Sequence, residues 1–510
     1  MPFCGSMIAN PSSPMKTNPA AHLKTYLKLF VLAGVLVAAS AVTPALAQTP
    51  PRSATAPSIT TQPVSLTVVT GANANLSVVA TGTAPLRYQW FKNGVEIARA
   101  ESALLALGNV RLNDAAVFAV RVSNATGSVY SAPAALTVNA TAGTITAAVP
   151  STTVKAGAEA KLTVVTSGNG LSYEWRFNDR LIRGATGATL TIANPGTTAA
   201  GYYEVSVAVR NAPIAISAAK LTVTTDARLV NIASRGMVGA EDDEVLISGF
   251  VTRGTGTKTV LLRGVGPTLG GSPYHVQGVL ANPTLTLFSG STAVATNDNW
   301  GGTAPLAAAF TKVGAFPLAS PTSADAAMLQ TIPSGGYTAH VTGPANARGI
   351  ALIEVYDTDA ASPPVELANI STRAMVGAVE DGTLIAGFVI AGSTSNTILV
   401  RGVSQSLGTL YGLRRALGNS QIAVFDSANK EVAANAVWTK PGRGNPNDAD
   451  NDDQIFDIDE AGNRTGAFKL PRGSNDSALL LTLPPGAYTA HVTGRNNSSG
   501  VALVEIYEVR

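Results

Sequence analysis

The strongest constraint on this chain is that part of it is written twice. "LVNIASRGMVGAEDDEVLISGF" at 229–250 returns as "LANISTRAMVGAVEDGTLIAGF" at 367–388, a constant offset of 138 residues. Asn231 corresponds to Asn369, Arg235 to Arg373, Gly239 to Gly377 and Phe250 to Phe388. "VLLRGVGPTLG" at 260–270 becomes "ILVRGVSQSLG" at 398–408, and the tails "GGYTAHVTG…GIALIEVYD" and "GAYTAHVTG…GVALVEIYE" match at an offset of 151. The second copy therefore holds 13 additional residues. Each copy is expected to be one domain, at 228–359 and 366–510, because a repeated pattern marks a repeated structural unit.

The repeated heptapeptide "YTAHVTG" carries His340 and His491. On a strand every second residue faces the same way. Tyr337, Ala339 and Val341 form the core-facing set, which leaves Thr338, His340 and Thr342 on a solvent face. Metal ligation would need partners at suitable spacing, and no HxH or HExxH motif accompanies either histidine. Charged residues also recur inside apolar strands. Arg263 follows "TVLL" and Arg401 follows "TILV", while Glu354 and Glu505 interrupt "ALI-VY" and "ALV-IY". An unpaired charge in a core is too costly to keep. Arg263 is therefore expected to meet Glu354, and Arg401 to meet Glu505, across neighbouring strands.

A second repeat, near 85 residues long, lies further forward. "NLSVVATG", "LRYQWFKNG", "NDAAVFAVRVSN" and "AALTV" between 75 and 138 are followed by "KLTVVTSG", "LSYEWRFND", "AAGYYEVSVAVRN" and "KLTV" between 161 and 223. Short alternating runs separated by turns predict β-sandwiches. The two units, 57–140 and 144–225, resemble cysteine-free immunoglobulin-like domains of bacterial surface proteins. The resemblance places Trp90 and Trp175 in the buried strand-C position. It places Val78 and Val120, then Val164 and Val205, where the inter-sheet cysteines would sit. Tyr203 stands at the tyrosine corner, and Phe118 occupies that place in the first unit.

The C-terminal pair resembles a tandem module at the ends of large exported bacterial proteins. Parts of it, 282–356 and 419–507, are loosely similar to pre-peptidase C-terminal jelly-roll domains. The fold expected for the whole chain is all-β: two immunoglobulin-like β-sandwiches followed by two homologous β-sandwich or jelly-roll-like domains.

Lys24 precedes and Lys28 lies at the start of an apolar run from Leu27 to Val42, and Ala45-Leu46-Ala47 offers a cleavage site, so 1–47 reads as a signal peptide and 48–56 as a linker. The run falls short of the roughly 20 residues of a membrane span, and no second run follows. The mature chain is expected to be secreted or at the cell surface, without a membrane span. The leader holds Lys16, Lys24 and Lys28 and no acid, leaving 32 basic against 32 acidic residues. Nucleic acid is then not an expected partner. Cys4 is the only cysteine and lies in the leader, so packing alone must hold the domains.

No catalytic motif in the sequence is complete. "GVSQS" at 402–406 ends in Ser406 where a nucleophile elbow needs glycine, and no phosphate loop or dinucleotide fingerprint occurs. No catalytic residue and no certain cofactor is assigned. Calcium has a case in "NPNDADNDDQIFDIDE" at 445–460, with seven acids in 16 residues. Asp448, Asp450, Asp452, Asp453 and Asp459 are the candidate ligands, since hard oxygens suit Ca²⁺; the alternative is a solvated acidic loop. Asn297-Asp298-Asn299 reads as an Asx-type turn.

The functional expectation is an exported, non-enzymatic protein that binds an extracellular protein or glycan in adhesion or matrix attachment. The alternative is an accessory carbohydrate-binding or targeting component of a polysaccharide-degrading system. Exposed aromatics would favour the alternative, and burial of Trp300 and Trp438 would favour a structural role for them.

Overall fold

Alternating side chains build two sandwiches in the front half of the computed structural model. It describes residues 54–510 apart from 141–143, 210–211, 240–243, 346, 360–363, 378–381 and 441–450. In the first sandwich, β1 (Arg87–Lys92) pairs with β2 (Ala116–Asn124), which also pairs with β3 (Gly127–Tyr130) and β4 (Ala134–Asn139). Trp90, Val78 and Val120 share one buried cluster, and the Trp90 indole N–H donates to the Ser102 carbonyl at 2.8 Å. In the second, β5 (Leu171–Phe177), β6 (Gly201–Val209) and β7 (Ala212–Thr224) repeat the arrangement. Trp175, Val164 and Val205 are buried together, and the Trp175 indole donates to the Gly187 carbonyl at 2.9 Å. The Tyr203 hydroxyl donates to the Ala199 carbonyl at 2.9 Å and closes the tyrosine corner; Phe118 fills that place by packing alone.

The two sandwiches do not hang on a loose linker. β4 pairs antiparallel with β7 through Val138↔Ile216 and Asn139↔Ala215. Beside that ladder the Thr137 hydroxyl donates to Ser217 Oγ at 3.1 Å.

The C-terminal half is a double layer to which both repeats contribute. The first repeat supplies β8 (Arg228–Val238), β9 (Leu246–Val265), β10 (Thr284–Ser289), β11 (Thr292–Asn297), β12 (Ala326–Thr342) and β13 (Gly349–Asp357). The second supplies β14 (Val365–Val376), β15 (Leu384–Ala391), β16 (Asn396–Val403), β17 (Ser420–Asp426), β18 (Glu431–Asn435), β19 (Ser477–Leu483), β20 (Gly486–Gly494) and β21 (Gly500–Glu508). One layer runs β11-β10-β12-β9-β14-β21-β16-β19, and the other β18-β17-β20-β15-β8-β13-β9-β12. The long strands β9 and β12 pass through both layers, since their pairing shifts between Thr252 and Thr257.

Each layer thus crosses from one repeat to the other. β9 pairs with β14 (Phe250↔Ile370), and β15 pairs with β8 (Phe388↔Ile232). Between the layers lies one core drawn from both copies, including Ile232, Phe250, Ile370 and Phe388. The outer faces are covered by α1 (Ala304–Val313) and α2 (Asn451–Thr465). Leu306, Ala309 and Phe310 form the buried stripe of α1, and Gly314, with φ +70°, ends the helix in the left-handed region.

The second sandwich seats on the second repeat. The Asp226 carboxylate accepts the main-chain N–H groups of Ser393 and Thr394 (3.0 Å each) and both their hydroxyls. The Thr197 N–H donates to Thr397 Oγ1 at 2.9 Å, and Asn194 Nδ2 donates to the Thr482 carbonyl at 3.2 Å. Arg180 stacks 4.8 Å from the Phe456 ring of α2 and lies 3.4 Å from Asp457. At Gly196 a Cβ would lie 2.1 Å from Thr397 Oγ1 and 2.3 Å from Thr482 Oγ1. Gly196→Ala should therefore force this interface apart without touching either core. Small-angle scattering of the full chain should then show a larger radius of gyration, with both sandwiches still folded by circular dichroism.

Candidate functional site

The two histidines of the repeated heptapeptide point away from the core, as alternation requires, but they are half-buried rather than fully solvated. This corrects the solvent-face expectation. His340 lies in a row across three strands, Arg373↔Ile247↔His340, and His491 in its counterpart, Arg235↔Ile385↔His491. Each row takes its arginine from one repeat and its histidine from the other. The His340 ring sits 4.5 Å from Phe288 with Nε2 3.2 Å from Thr338 Oγ1; the His491 ring sits 4.7 Å from Phe425 with Nε2 3.1 Å from Thr489 Oγ1. Burial first, and the Arg373 guanidinium second, push the His340 imidazole down to about 4. Burial and Arg235 lower His491 in the same direction. Both rings are neutral at pH 7, which suits a packed polar residue better than a proton shuttle working near neutrality. The signal for this site was the shared offset of Arg235 and Arg373, which sequence reading left unconnected to the histidines.

The recurring charges meet as expected. Arg263 Nε is 3.1 Å from Glu354 Oε2, and Arg401 Nε is 3.0 Å from Glu505 Oε2. Both are ion-pair contacts without good hydrogen-bond alignment. The better-aligned bonds go elsewhere. Arg263 Nη1 donates to the Phe316 carbonyl (2.9 Å) and Arg401 Nη1 to that of Phe468 (2.7 Å), while the Tyr356 and Tyr507 hydroxyls donate to Glu354 and Glu505. The Arg263 guanidinium also stacks 4.3 Å from the Phe316 ring. Burial raises the Glu354 carboxyl, and Arg263 and Tyr356 pull it back. These sealed pairs hold loops onto the sheet; neither side chain is accessible to a ligand.

Ser406 is buried and donates to Asp476, whose carboxylate also accepts the Ser404 N–H at 2.7 Å. In the first repeat Asp325 receives the Thr268 hydroxyl and the Gly266 N–H in the same way. These aspartates are turn clamps that sequence reading missed. Asn297 Nδ2 donates to the Asn299 carbonyl at 2.9 Å while its Oδ1 accepts the Ala327 N–H at 2.9 Å, so this side chain ties the loop to β12 instead of closing an Asx turn. Trp300 and Trp438 are buried, their indoles bonded to the loop at 320–323 and to Pro471 and Ser474, which removes them as sugar platforms. Asp448 and Asp450 lie outside the described residues. Asp452 and Asp453 fall in the first turn of α2, and Asp459 stands two turns further along it. Among the described residues no group of three or more His, Cys, Asp or Glu side chains comes together in a metal-holding arrangement.

An accessible aromatic-and-charge surface does exist on the first sandwich. On the outward face of β1, β2 and β3, Tyr130 is 56% exposed and its ring lies 5.7 Å from Phe91. The Arg121 guanidinium lies 5.8 Å from the Phe91 ring and 3.7 Å from Glu96. Tyr and Arg on a rigid sheet are the residue types that carry binding energy in protein interfaces.

The sequence model of the family described as "Immunoglobulin domain" matches residues 56–124. No curated protein matches the chain. Among solved structures, the titin domains z1z2 in complex with telethonin are similar at 21% identity, covering 34% of this chain and 98% of that one, with a TM-score of 0.17. Tandem Ig repeats of Dlar are similar at 23% identity, covering 33% of this chain and 98% of that one, also at 0.17. The protein is an all-β, multi-domain sandwich protein with immunoglobulin-like domains, which are typical of surface or extracellular binding proteins. Among the described residues no helix is long and apolar enough to cross a membrane.

Two measurements check the energetics. Glu354→Gln leaves the Arg263 charge buried and uncompensated, so urea unfolding should report a loss of about 3–5 kcal/mol. His340 titrates near 4 when folded, against 6.5 for an unperturbed imidazole. The unfolded chain therefore binds more protons in that window, and stability falls as pH drops from about 6.5 toward 4. Unfolding followed between pH 7 and 4.5 should show this fall, on the order of 2 kcal/mol from His340, and His340→Gln should remove that share while leaving the smaller one of His491.

Proposed function

We propose that the protein is exported and binds an extracellular protein ligand, in adhesion or matrix attachment, through the Tyr130–Phe91–Arg121 face of its first sandwich. The observation that carries this reading is that face itself, an exposed tyrosine packed on a half-buried phenylalanine and flanked by a guanidinium, on a sheet that shares hydrogen bonds with the next domain. A face held on a fixed frame loses little entropy on binding. The accessory carbohydrate-binding reading keeps the exposed Tyr130 ring as a stacking face but loses Trp300 and Trp438, which are packed inside. Export follows from the leader at 1–47, and amino-terminal sequencing of the secreted protein should begin at Gln48.

The ligand reading is tested with the full-length mature chain on immobilised extracellular-matrix proteins and on a glycan array. Binding to a matrix protein is expected. Tyr130→Ala combined with Arg121→Glu should weaken it by about tenfold or more, as loss of an interface anchor does, with the thermal midpoint nearly unchanged. Binding confined to glycans, or binding indifferent to this double variant, would overturn the assignment.

A further inference from the structure

The first repeat buries a primary amine that neither the sheet joins nor the Tyr130 face uses. Lys258 is 0% exposed and stands on β9 opposite Ile332 of β12. On its other side lies β13, whose pairing with β9 starts at Val260↔Asp357. Lys258 Nζ donates to Asp357 Oδ1 at 2.7 Å and to Asp359 Oδ2 at 3.0 Å. Asp357 is gripped from two further directions. The Asp359 main-chain N–H donates to Oδ1 at 2.9 Å, and Arg228 Nη1 donates to Oδ2 at 2.8 Å.

The second repeat shows that the fold itself does not require an ammonium here. At the equivalent positions stand Asn396 for Lys258, Glu508 for Asp357 and Arg510 for Asp359. Asn396 is buried as completely as Lys258, so an uncharged side chain closes the sister sheet. Buried charges are costly even when they are paired, and in the first repeat two cations and two carboxylates share one place. Condensation of Lys258 with Asp357 removes one charge of each sign. Arg228 and Asp359 then remain as a balanced pair.

The contacts supply each part of that condensation. Asp359 takes a proton from the ammonium, which leaves Nζ as a neutral amine nucleophile. An amine fixed against a carboxyl group reacts as though at very high concentration. The Arg228 guanidinium lies on Oδ2, the oxygen that gathers negative charge when Nζ adds to Cγ. The Nζ–Cγ bond forms and the Cγ–Oδ1 bond breaks. Oδ1 leaves as water with two of the three ammonium protons, one of them relayed by Asp359, and the third proton stays on the amide nitrogen. No oxidant, reductant or cofactor enters the balance. The Asp359 side chain is 29% exposed and gives the released water a way out. Closure of Lys258 and Asp357 against solvent opposes the reverse reaction.

We infer that Lys258 and Asp357 become joined by an amide cross-link that ties β9 to β13 within the first repeat. The second repeat, with Asn396 in place of the amine, forms no such link. The cross-link is independent of the Tyr130 face.

Intact-mass measurement and tryptic mapping of the purified full-length chain are the experiment. The chain is expected to be lighter than its sequence by one water. One branched peptide should appear, in which 254–263 is joined to 349–373 through Lys258 and Asp357. Lys258→Arg keeps the positive charge but offers no amine. It should restore the full mass, release 349–373 as a linear peptide and lower the thermal midpoint, with the fold retained by circular dichroism. Asp359→Asn should slow the reaction about a hundredfold, so that freshly purified protein holds mostly the unlinked mass. A folded natural chain at full mass, a water loss that survives Lys258→Arg, or a link that fragmentation places on Asp359 would each overturn the inference.

Discussion

Neither C-terminal repeat closes its own sheets, and the rest of that half follows from the way the edges are satisfied. An exposed strand edge is a row of unpaired N–H and C=O groups. β9 gives its edge to β14, and β15 gives its edge to β8, so each repeat is completed twice by its sister. The shared core between the layers exists because those two pairings bring both inner faces into register. The His–Arg rows exist for the same reason, since each row steps across one of these joins. Near the pseudo-twofold axis, Ser234 and its equivalent Thr372 meet at 2.7 Å, a buried polar contact that only a symmetric pairing of copies can make.

Much of this was legible from the sequence, and the divisions are instructive. The tryptophan and valine positions of the sandwiches were readable through the resemblance to immunoglobulin-like domains, which assigns them to buried places. The Arg263–Glu354 and Arg401–Glu505 pairs were readable because a charge in an apolar strand demands a partner and the duplication showed the demand twice. The sheet joins were not readable, because main-chain hydrogen bonds between strands leave no mark in side-chain identity. The surroundings of His340 fell partly in that blind spot, since the arginine in its row belongs to the other copy. The turn clamps at Asp325 and Asp476 were hidden in "SAD" and "SND", where an aspartate before a strand resembles any loop residue.

The repeats diverge where their surroundings differ. Leu329 on the first repeat is 39% exposed, whereas its equivalent Leu480 is 5% exposed. The cause is the covering helix. α1 has 10 residues, while α2, formed within the longer second copy, has 15 and lays Ile455 and Ile458 into the cluster that contains Leu480. The same helix meets Arg180 of the second sandwich through Phe456 and Asp457. The acidic stretch thus takes part in the seam between sandwich and repeat. Its hydrophobic residues were easy to overlook in a segment dominated by aspartates.

The short ladder between β4 and β7 governs how the molecule responds as a mechanical object. The first sandwich meets the second through main-chain bonds, and the second is clasped to the repeats at Asp226, so each joint is made of paired backbone or a hydrogen-bonded carboxylate instead of a bare tether. A torque applied to the first sandwich is therefore transmitted through the second and delivered to the double layer, whose seams run between copies of the same unit. Anything held at the tip is felt at the base as a change of orientation.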